Sequence, residues 1–574
     1  MKIRVRTKKN ILKGKMAIIS IETMREFVAD FFNYLVEKVT QEYDWVWVIS
    51  SYNLSDAARK NLEKKVSNVF EGVQGDDFDH WLFAIETLQN SKILDKIYDI
   101  TFLNDSFYGP VYPICDVWNI MSNKKADFWG ITKHQEFNNA KAFLQTYFIN
   151  FNIEIVKKEL LSFLYKKAAF ENPEYELTAY LEQAGYVSEV FVDTSDLENK
   201  DKRLAESFLL FYPYELVKQR RCPFLSRFMF SIEESRRQIY GDGTQVQKLL
   251  DFIKNKYPVS YIYKDLIFQH NMYHLIHVLE LNFVLENGVK CSSMSVKKIK
   301  ETAIFVYLYY QNDFGFYIDR LSKVPRKVDV YIYTDSNEKS YTIKKLIKKR
   351  FQAKICTVGG RGREWATFLN EVKEQSVKYK YACFMHDKSY HKTEFPTQAY
   401  DFKNLLWDNL LPGDKEIYEI IKIFEENSHI GILLPPIVKH GSYFGYYMNF
   451  WMDNFENTVK LASEIGIRRE LIDKNITPIS LGGMFWFRPK ALKLLFQTDF
   501  QREKFPVEPL LEDGTLNHAL ERIVPYVAQE SGYYSGIVIS KSYLKHDWLV
   551  QADMIRTLGR SIVKDFDFMY EMNQ

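Results

Sequence analysis

Tyr381-Ala382-Cys383-Phe384-Met385-His386-Asp387-Lys388 is an apolar run that ends in three polar residues. A run of this length between helix-like stretches predicts a buried strand of a mainly parallel sheet. An earlier apolar run, Val330-Tyr331-Ile332-Tyr333, is followed by a Gly/Arg-rich loop and Trp365. Because ligands of open α/β folds bind at the carboxyl ends of the strands, the polar residues 386–388 mark a candidate site.

The same order of landmarks occurs in the first half of the chain. Trp45-Val46-Trp47-Val48-Ile49 leads to a Gly/Asp-rich loop and Trp81, and then to an apolar run that closes on Asn104-Asp105-Ser106. The distance from Ser50 to Trp81 is 31 residues, and so is the distance from Thr334 to Trp365. An aromatic run follows in each half, at 147–151 and 484–487. Two copies indicate a duplicated domain rather than a solenoid.

A chain of 574 residues is too long for one ordinary core. We expect α/β modules with mainly parallel sheets at 1–235 and 301–540, because apolar runs alternate with helical patterns there. A helical connector is expected at 236–300. An amphipathic helix is expected at 541–574, docked on the second module through Met554, Ile555, Leu558, Ile562 and Val563.

Composition excludes several classes of protein. The net charge is only +3, so we expect no nucleic-acid partner. The five cysteines form no C-x-x-C pair, which predicts a reduced, cytoplasmic protein without a zinc site. The apolar stretch from Met16 to Ile21 is cut by Glu22, so it does not predict a signal peptide. Since no apolar run approaches 18 residues, any membrane contact is expected to be peripheral.

The second copy carries most of the candidate chemistry. Asp387 is placed to hold a divalent cation, Mg²⁺ or Mn²⁺, that bridges a diphosphate, and Lys388 is placed to neutralise the same oxygens. The alternative interpretation is that Asp387 and Ser389 cap the following segment. Glycines at 359–362 permit close approach of a ligand, and arginines grip phosphate or a nucleobase edge, although a plain basic loop is the alternative. The predicted donor-binding residues are Thr334, Asp335, Arg361, Arg363, Glu364, His386, Asp387 and Lys388.

Two further motifs suggest the other reactant. Glu512 and Asp513 precede an apolar helical pattern, and a carboxylate at a helix start suits a base that is ionised near neutral pH. Helix capping is the alternative explanation. His518 lies off the apolar face of that helix. The turn Leu481–Pro489 feeds an aromatic strand, and its residues Gly482, Gly483 and Trp486 form, with His518, a predicted acceptor site.

Taken together, these motifs resemble the rhamnan synthesis protein F family, bacterial rhamnosyltransferases that build cell-wall or capsular polyrhamnose. The resemblance extends over most of the chain. It implies two tandem GT-A-like modules, a dTDP-L-rhamnose donor, a lipid-linked glycan acceptor at the cytoplasmic face, an inverting reaction, and contact with other polysaccharide-synthesis enzymes. It rests on the segments 102–110, 127–132, 191–195, 361–364, 386–389, 408–411, 431–436 and 482–489.

The chain departs from the family pattern in its first-half loop. Gly75-Asp76-Asp77-Phe78-Asp79-His80-Trp81 carries Asp79 and His80 in place of small residues, and Glu364 stands where an aspartate is usual. The first module is therefore either active on its own substrate or a degenerate partner. Its candidate second-site residues are Asp77, Asn104, Asp105 and Ser106. Two alternatives stay open: a noncatalytic glycan-binding or assembly subunit, and a glycosyltransferase for a different sugar.

Overall fold

The computed structural model describes residues 14–21, 28–91, 93–134, 142–198, 212–230, 245–286, 299–388, 396–440, 443, 449–509 and 511–571. Ser389 lies outside these residues. The chain divides into two compact units, Met1–Leu266 and Ile267–Gln574. Each unit is built around one mixed α/β sheet. The α/β class with two mainly parallel sheets is therefore confirmed.

The first unit has a sheet with strand order β3-β2-β1-β4-β8-β6-β7, and β9 pairs with β6. Strands β1 to β4 and the β6–β9 pair are parallel, whereas β8 is antiparallel to both of its neighbours. The bounds are β1 Gly14–Ile21, β2 Trp45–Ser50, β3 Asn68–Phe70, β4 Ile97–Asn104, β5 Phe107–Tyr108, β6 Phe128–His134, β7 Phe143–Leu144, β8 Phe148–Asn152, β9 Ser188–Val192 and β10 Leu225–Ser226, with β5 and β10 forming a separate ribbon.

The second unit has a sheet with strand order β11-β18-β16-β17-β15-β12-β13-β14. Only β17 runs antiparallel to its neighbours in the described sheet. The bounds are β11 Asn282–Leu285, β12 Thr302–Tyr307, β13 Asp329–Thr334, β14 Lys354–Thr357, β15 Tyr381–His386, β16 Ile430–Leu434, β17 Phe485–Phe487 and β18 Tyr534–Ser540.

The two sheets repeat one topology. The order β3-β2-β1-β4-β8-β6-β9 in the first unit corresponds to β14-β13-β12-β15-β17-β16-β18 in the second. The predicted landmarks occupy equivalent strands, since the apolar runs are β2 and β13, and the aromatic runs are β8 and β17. Trp81 packs on Phe102 of β4 and Phe151 of β8, and Trp365 lies near Phe384 of β15 and Phe485 of β17, which are the equivalent strands. The predicted duplication is therefore confirmed.

Helices cover the faces of both sheets. The helix Asp56–Glu63 illustrates why these segments are helical. The Ser55 hydroxyl caps its start by accepting the Ala58 N–H, and its buried residues Ala58 and Leu62 lie on one side. The longer α-helices are Asp30–Glu42, Asp56–Glu63, Asp77–Ser91, Ile114–Met121, Leu161–Lys166, Pro173–Gln183, Pro213–Gln219, Gln245–Ile253, Val259–Gln269, Met272–Val278, Phe314–Leu321, Asn337–Ile347, Pro396–Leu410, Asp414–Glu426, Phe455–Ile465, Leu516–Glu530 and Lys541–Glu571.

The stretch predicted as a connector contains three of these helices and also a strand. The boundary between the compact units, after Leu266, falls inside the helix Val259–Gln269. Strand β11 joins the second sheet by pairing with β18. The domain boundaries written from the sequence stay a prediction.

The C-terminal helix Lys541–Glu571 forms as predicted, but the expected docking face was wrong. Ile555 is 70% exposed and Leu558 is 50% exposed, so these residues do not pack on the second unit. The side chains of Ile562 and Val563 lie outside the described ones. The buried contact is made nearer the start of the helix, where Lys439 donates to the Asp547 carboxylate at 2.9 Å.

Candidate functional site

The site is organised around Asp387, the residue that follows β15. This carboxylate is 4% exposed, and its Oδ2 atom accepts the backbone N–H groups of Tyr309 and Tyr310 at 2.6 Å each. Those two residues follow β12, the strand that pairs with β15. Asp387 therefore joins the carboxyl ends of two central strands. The alternative that Asp387 and Ser389 cap the following segment stays a prediction, because residues 389–395 lie outside the described residues.

The pKa of Asp387 is shifted strongly. Burial raises it to about 7, even though the two backbone N–H groups lower it, and the nearby Glu364 raises it further while Lys339 lowers it. The structure thus holds Asp387 close to the balance between its acid and its carboxylate near neutral pH. A cation brought to this carboxylate would favour the ionised form.

Lys388 and His386 lie on either side of Asp387 in sequence. They contact Glu521 and the turn at Gly482, respectively. The Lys388 ammonium is 3.7 Å from the Glu521 carboxylate. The His386 ring nitrogen Nε2 is 2.8 Å from the Gly482 carbonyl oxygen. Burial and the charge of Lys388 lower the pKa of His386, so its ring is neutral at pH 7.

Glu521 is a residue whose role the sequence did not predict. Its side chain is 12% exposed, and besides Lys388 it accepts the Gly482 N–H at 3.4 Å. Burial alone would raise its pKa, but the positive charges of Lys388, His518 and Arg522 lower it below its ordinary value. The only sequence signal was its position three residues after His518, on the face of the helix Leu516–Glu530 that is not apolar.

The Gly/Arg-rich loop at 359–364 is fastened to the segment 502–508. Arg502 donates to the Gly359 carbonyl at 2.6 Å and pairs with Glu371 at the same distance. Arg361 donates to the Phe505 carbonyl at 2.8 Å and to that of Glu503, so its guanidinium faces protein carbonyls in this structure. The loop is therefore held in one conformation by hydrogen bonds to the segment 502–508.

Arg363 belongs to a group of cations beside Asp387. It forms an ion pair with Glu508 and donates to the Tyr310 hydroxyl at 2.9 Å. Its guanidinium lies 4.6 Å from the centre of the Tyr309 ring, and the Lys339 ammonium lies 3.9 Å from the same ring.

Asp335 holds this Lys339 ammonium at 2.7 Å, one helical turn away along the chain. The neighbouring Thr334 is the last residue of β13 and is fully buried. Lys339, Tyr309 and Tyr310 were missed from the sequence. The tyrosines directly follow an apolar strand, which is the signal that would have found them.

Buried polar groups without partners gather at the same edge. Among the described residues, the Tyr307 hydroxyl, the Thr334 hydroxyl and the Trp365 indole N–H are buried and make no hydrogen bond. Asp335, Glu364 and Asp387 all raise the pKa of Tyr307, after burial, so that ring lies among the predicted donor-binding acids. Buried polar groups are normally satisfied, and such a group marks a place for a ligand or an ordered water.

The acids at 512 and 513 do not start a helix, so that expectation was wrong. The helix begins at Leu516, with Thr515 as its N-cap residue. Glu512 is exposed. Asp513 accepts the Asn454 side-chain amide at 2.6 Å and the Asp453 N–H at 3.2 Å. It is therefore held at the start of the neighbouring helix Phe455–Ile465.

His518 lies between the two groups of acids. Its Nδ1 atom is 3.9 Å from Asp513 and 2.8 Å from the Thr515 hydroxyl, while its charge acts on Glu521. His518 thus lies between Asp513 and the ion pair of Glu521 with Lys388.

The predicted acceptor turn has one part that fits and one that does not. Gly483 has φ +68°, and a Cβ atom there would lie 3.3 Å from both the His386 ring and the Trp365 indole nitrogen. A glycine is needed at this position because the turn packs against the site. Trp486, by contrast, is fully buried, and its indole donates to the Leu410 carbonyl at 2.8 Å. Trp486 is a packing residue, and its assignment to the acceptor site was wrong.

A family model described as rhamnan synthesis protein F matches residues 46–533. The chain belongs to the rhamnan synthesis protein F family. The predicted family is confirmed, and with it the prediction of an enzyme of the glycosyltransferase class that acts in polysaccharide synthesis. No curated protein matches the chain.

Solved structures similar to this family member are distant. The glycosyltransferase GlyE of Streptococcus pneumoniae TIGR4 is 9% identical over 68% of this chain and 89% of that chain, with a TM-score of 0.24. S. aureus TarS 1-349 in complex with UDP is 12% identical over 41% of this chain and 57% of that chain, with a TM-score of 0.23. A 4-diphosphocytidyl-2C-methyl-D-erythritol synthase is 11% identical over 34% and 99%, also with a TM-score of 0.23. At such scores these likenesses decide nothing about the site.

The equivalent edge of the first unit in this member of the rhamnan synthesis protein F family is filled by ion pairs. Asp105, the counterpart of Asp387, lies 3.7 Å from Arg227, and Arg227 pairs with the buried Asp265 at 3.1 Å. Asn104 donates to the Asp77 carboxylate at 2.5 Å and accepts the Ser106 N–H at 3.1 Å. The predicted second-site residues of this unit therefore already have partners: Asp77, Asn104 and Ser106 contact one another, and Asp105 contacts Arg227.

The first-unit loop is closed in the same way. Lys167 pairs with both Asp76 and Asp79 at 2.7 Å, and the His80 Nε2 atom lies 2.9 Å from the Val73 carbonyl oxygen and 3.1 Å from the Ser51 hydroxyl. Asp79 and His80, the residues that depart from the family pattern, thus have partners within the first unit.

Asp387 is the predicted ligand for a divalent cation at the site. Within the described ranges, no three His, Cys, Asp or Glu side chains gather as a metal-binding set. Asp387 alone fits the mode in which Mg²⁺ takes one protein carboxylate and fills its other positions with substrate phosphates and water. When bound there, the cation would neutralise negative charge on a diphosphate.

Proposed function

We propose that the chain transfers L-rhamnose from dTDP-L-rhamnose to a growing lipid-linked cell-wall or capsular polysaccharide at the cytoplasmic face of the membrane. The second unit, a GT-A-like module in this proposal, holds the active site. The observation that carries the proposal is Asp387: a buried carboxylate at the carboxyl ends of two central strands, with Lys388, Lys339 and Arg363 beside it. Family membership supports the sugar and the polymer.

The donor diphosphate is bound on the Asp387 side of the site. Lys388, Lys339 and Arg363 each have a carboxylate partner in this structure, namely Glu521, Asp335 and Glu508. An incoming diphosphate competes for these cations, and its charge grows as the glycosidic bond breaks. The cations therefore stabilise the transition state more than the bound donor, which is the condition for catalysis.

The acceptor hydroxyl is deprotonated by Asp513, with Glu512 as the second candidate. The acceptor oxygen then attacks the anomeric carbon, a new carbon–oxygen bond forms, and the bond to the diphosphate breaks with inversion. The proton passes to the carboxylate and the electron pair leaves with the diphosphate. The His518 Nδ1 atom stands 3.9 Å from the Asp513 carboxylate.

The first unit is proposed to be a noncatalytic partner that binds glycan or another polysaccharide-synthesis enzyme. The Asp105–Arg227–Asp265 ion pairs favour this assignment, because the counterpart of Asp387 already has a buried cation for a partner. The noncatalytic alternative thus applies to one unit of the chain.

A donor panel tests the proposal. The full chain is incubated with labelled dTDP-L-rhamnose, dTDP-glucose, UDP-glucose and GDP-mannose, together with a membrane-extracted acceptor. We expect transfer from dTDP-L-rhamnose and a loss of about 10²–10³ in rate for Asp387→Ala, the usual cost of removing one stabilising group at such a centre. Transfer of another sugar would overturn the donor assignment, and full activity of Asp387→Ala would overturn the site.

A further inference from the structure

The C-terminal helix Lys541–Glu571 presents apolar side chains to solvent. Trp548 is 69% exposed, Leu549 67%, Ile555 70% and Leu558 50%. We call Trp548, Ile555 and Leu558 the Trp548 stripe. They are spaced by seven and three residues, so they lie on one side of the helix, whereas Leu549 lies about 100° around the helix from Trp548. Large apolar patches on a soluble surface mark interaction sites.

This surface is held in place by the start of the helix. Asp547 is 6% exposed, and its carboxylate takes two contacts from the Lys439 ammonium, at 2.9 and 3.1 Å. Since that anchor precedes Trp548 directly, the second unit fixes the direction in which the stripe points.

Basic side chains flank the stripe. Lys541 and Lys545 are exposed and precede Trp548 by seven and three residues, which places them on the same side of the helix. Arg556 is exposed and follows Leu549 by seven residues. The acids between 541 and 559 are Asp547, which is paired with Lys439, and Asp553, which lies five residues beyond Trp548 and therefore off the Trp548 stripe, on the side of Leu549 and Arg556. The exposed side is therefore apolar and positively charged.

We propose that the Trp548 stripe docks on an anionic lipid bilayer and lies in its interface. Exposed tryptophan with aliphatic neighbours and flanking lysines is the composition of interfacial helices, because the rings and aliphatic groups enter the headgroup boundary while the ammonium groups contact lipid phosphates. None of the described helices is both long and apolar enough to span a membrane. The proposal rests on the proposed function only in that the acceptor there is lipid-linked.

A second copy of the chain fits this side of the helix less well. A parallel coiled coil along it would place lysines at two successive seam positions and a glycine at the last, so like charges would oppose each other and one layer would be empty. Lipid phosphates, by contrast, complement both lysines. The seam positions, in steps of four and three, are Lys541, Lys545, Trp548, Ala552, Ile555 and Gly559.

Vesicle flotation with the full chain tests the proposal without donor or acceptor. We expect the chain to float with vesicles of phosphatidylglycerol and phosphatidylcholine, and to bind pure phosphatidylcholine at least about tenfold more weakly. Raising the salt from about 50 mM to about 500 mM should release most of it. Failure to bind the anionic vesicles, or equal salt-independent binding to both kinds, would overturn the proposal.

Matched variants locate the surface. Trp548→Gln with Ile555→Gln should weaken vesicle binding at least about tenfold. Tyr341→Gln with Val377→Gln, at two exposed apolar residues elsewhere in the unit, should bind as wild type does. Lys541→Gln with Lys545→Gln should weaken binding, whereas Lys344→Gln with Lys345→Gln, on the helix Asn337–Ile347, should not.

Two further readouts separate the competing explanations. The stripe variants should keep their melting temperature and their transfer to a detergent-solubilised acceptor. Vesicle binding is measured without donor or acceptor, so it would persist even if the proposed function were wrong. If sedimentation shows that the wild type self-associates and the stripe variants do not, while vesicle binding is unchanged, the surface is an interface between copies and the proposal is wrong.

Discussion

Two carboxylates in the second unit are held by different partners, and each should respond differently to removal of its charge. Asp387 is buried against two backbone N–H groups, which contact a single oxygen, Oδ2. Asp513 uses both of its oxygens, one toward the Asn454 amide and the other toward the Asp453 N–H. An asparagine can reproduce the first arrangement but not the second, because its amide nitrogen cannot accept a hydrogen bond.

Asp513→Asn should lose nearly all turnover and still bind donor, because an amide takes up no proton at neutral pH. The lost contact to the Asp453 N–H should cost on the order of 1 kcal/mol, which corresponds to a fall of about 2–4 °C in melting temperature. Single-turnover transfer and calorimetry check both parts. Glu512→Gln, which changes an exposed side chain, should be milder; wild-type turnover in Asp513→Asn would move the base to Glu512 or Glu521.

The pKa of Asp387 predicts a pH-dependent stability. In the unfolded chain an aspartate has a pKa of about 3.9, whereas burial raises that of folded Asp387 to about 7. Between these values the folded state binds more protons than the unfolded state, so wild-type stability falls as the pH rises through this range. Asp387→Asn does not titrate, so its stability relative to wild type should increase by about 2.5 kcal/mol from pH 5 to pH 8.

Urea unfolding in EDTA, without donor, measures that difference. Asp499→Asn, at an exposed carboxylate of the same unit, is the matched control. A difference between Asp387→Asn and wild type that stays constant from pH 5 to pH 8 would show that Asp387 is ionised throughout.

At the scale of elements, close packing constrains the loop at 359–364. Gly362 has φ +74°, and a Cβ atom there would lie 2.5 Å from Phe505 and 2.7 Å from the Cβ of Ala366. Gly466 also has a positive φ, +85°, but nothing lies within 4 Å of its Cβ position. The two glycines share the backbone strain and differ in the space available.

Gly466→Ala should therefore destabilise the chain by about 1–2 kcal/mol, the cost of a left-handed residue with a side chain. Gly362→Ala should lower the free energy of unfolding by about 1–3 kcal/mol more than Gly466→Ala does, because the new methyl group overpacks the contact with Phe505. It should also weaken donor binding, since the loop moves. Urea unfolding of both variants measures the difference, and equal losses would mean that the loop relaxes freely.

The elements that the sequence predicted are those with strong apolar runs. β2, β13, β15 and β17 follow from hydrophobic runs bounded by turn residues, and the match of landmarks predicted their equivalence. The antiparallel direction of β8 and β17 did not follow, because a buried strand is apolar whichever way it runs. Phe505, which Arg361 contacts, and Glu508, which pairs with Arg363, lie more than 140 residues away along the chain, where spacing carries no information.

The site was predicted in part for the same reason. Asp387 and Lys388 end an apolar strand, and that position is visible in the sequence. Glu521 is not, since one acid on a helix face has no signature until the fold brings Lys388 to 3.7 Å. Asp513 was mistaken for part of a helix start because acids are common there, whereas Thr515 is the N-cap residue.

At the scale of the whole chain, two units of one topology raise the question of how many donors bind. If the first-unit ion pairs close its site, calorimetric titration with dTDP should saturate at one nucleotide per chain. Asp105→Ala should retain that stoichiometry and most of the transfer activity, whereas Asp387→Ala should lose most of both. Two nucleotides per chain, or greater damage from Asp105→Ala, would make the first unit a catalyst.

The repeated strand order also bears on descent. After a duplication, both copies must keep their cores, because either one exposes apolar surface if it unfolds, but only one copy must keep its chemistry. Substitutions among relatives should therefore be equally rare at Trp81 and Trp365, and at Phe102 and Phe384. Substitutions should accumulate faster at 104–106 than at 386–388, so the ends of these two equivalent strands should differ in how strongly selection has acted on them.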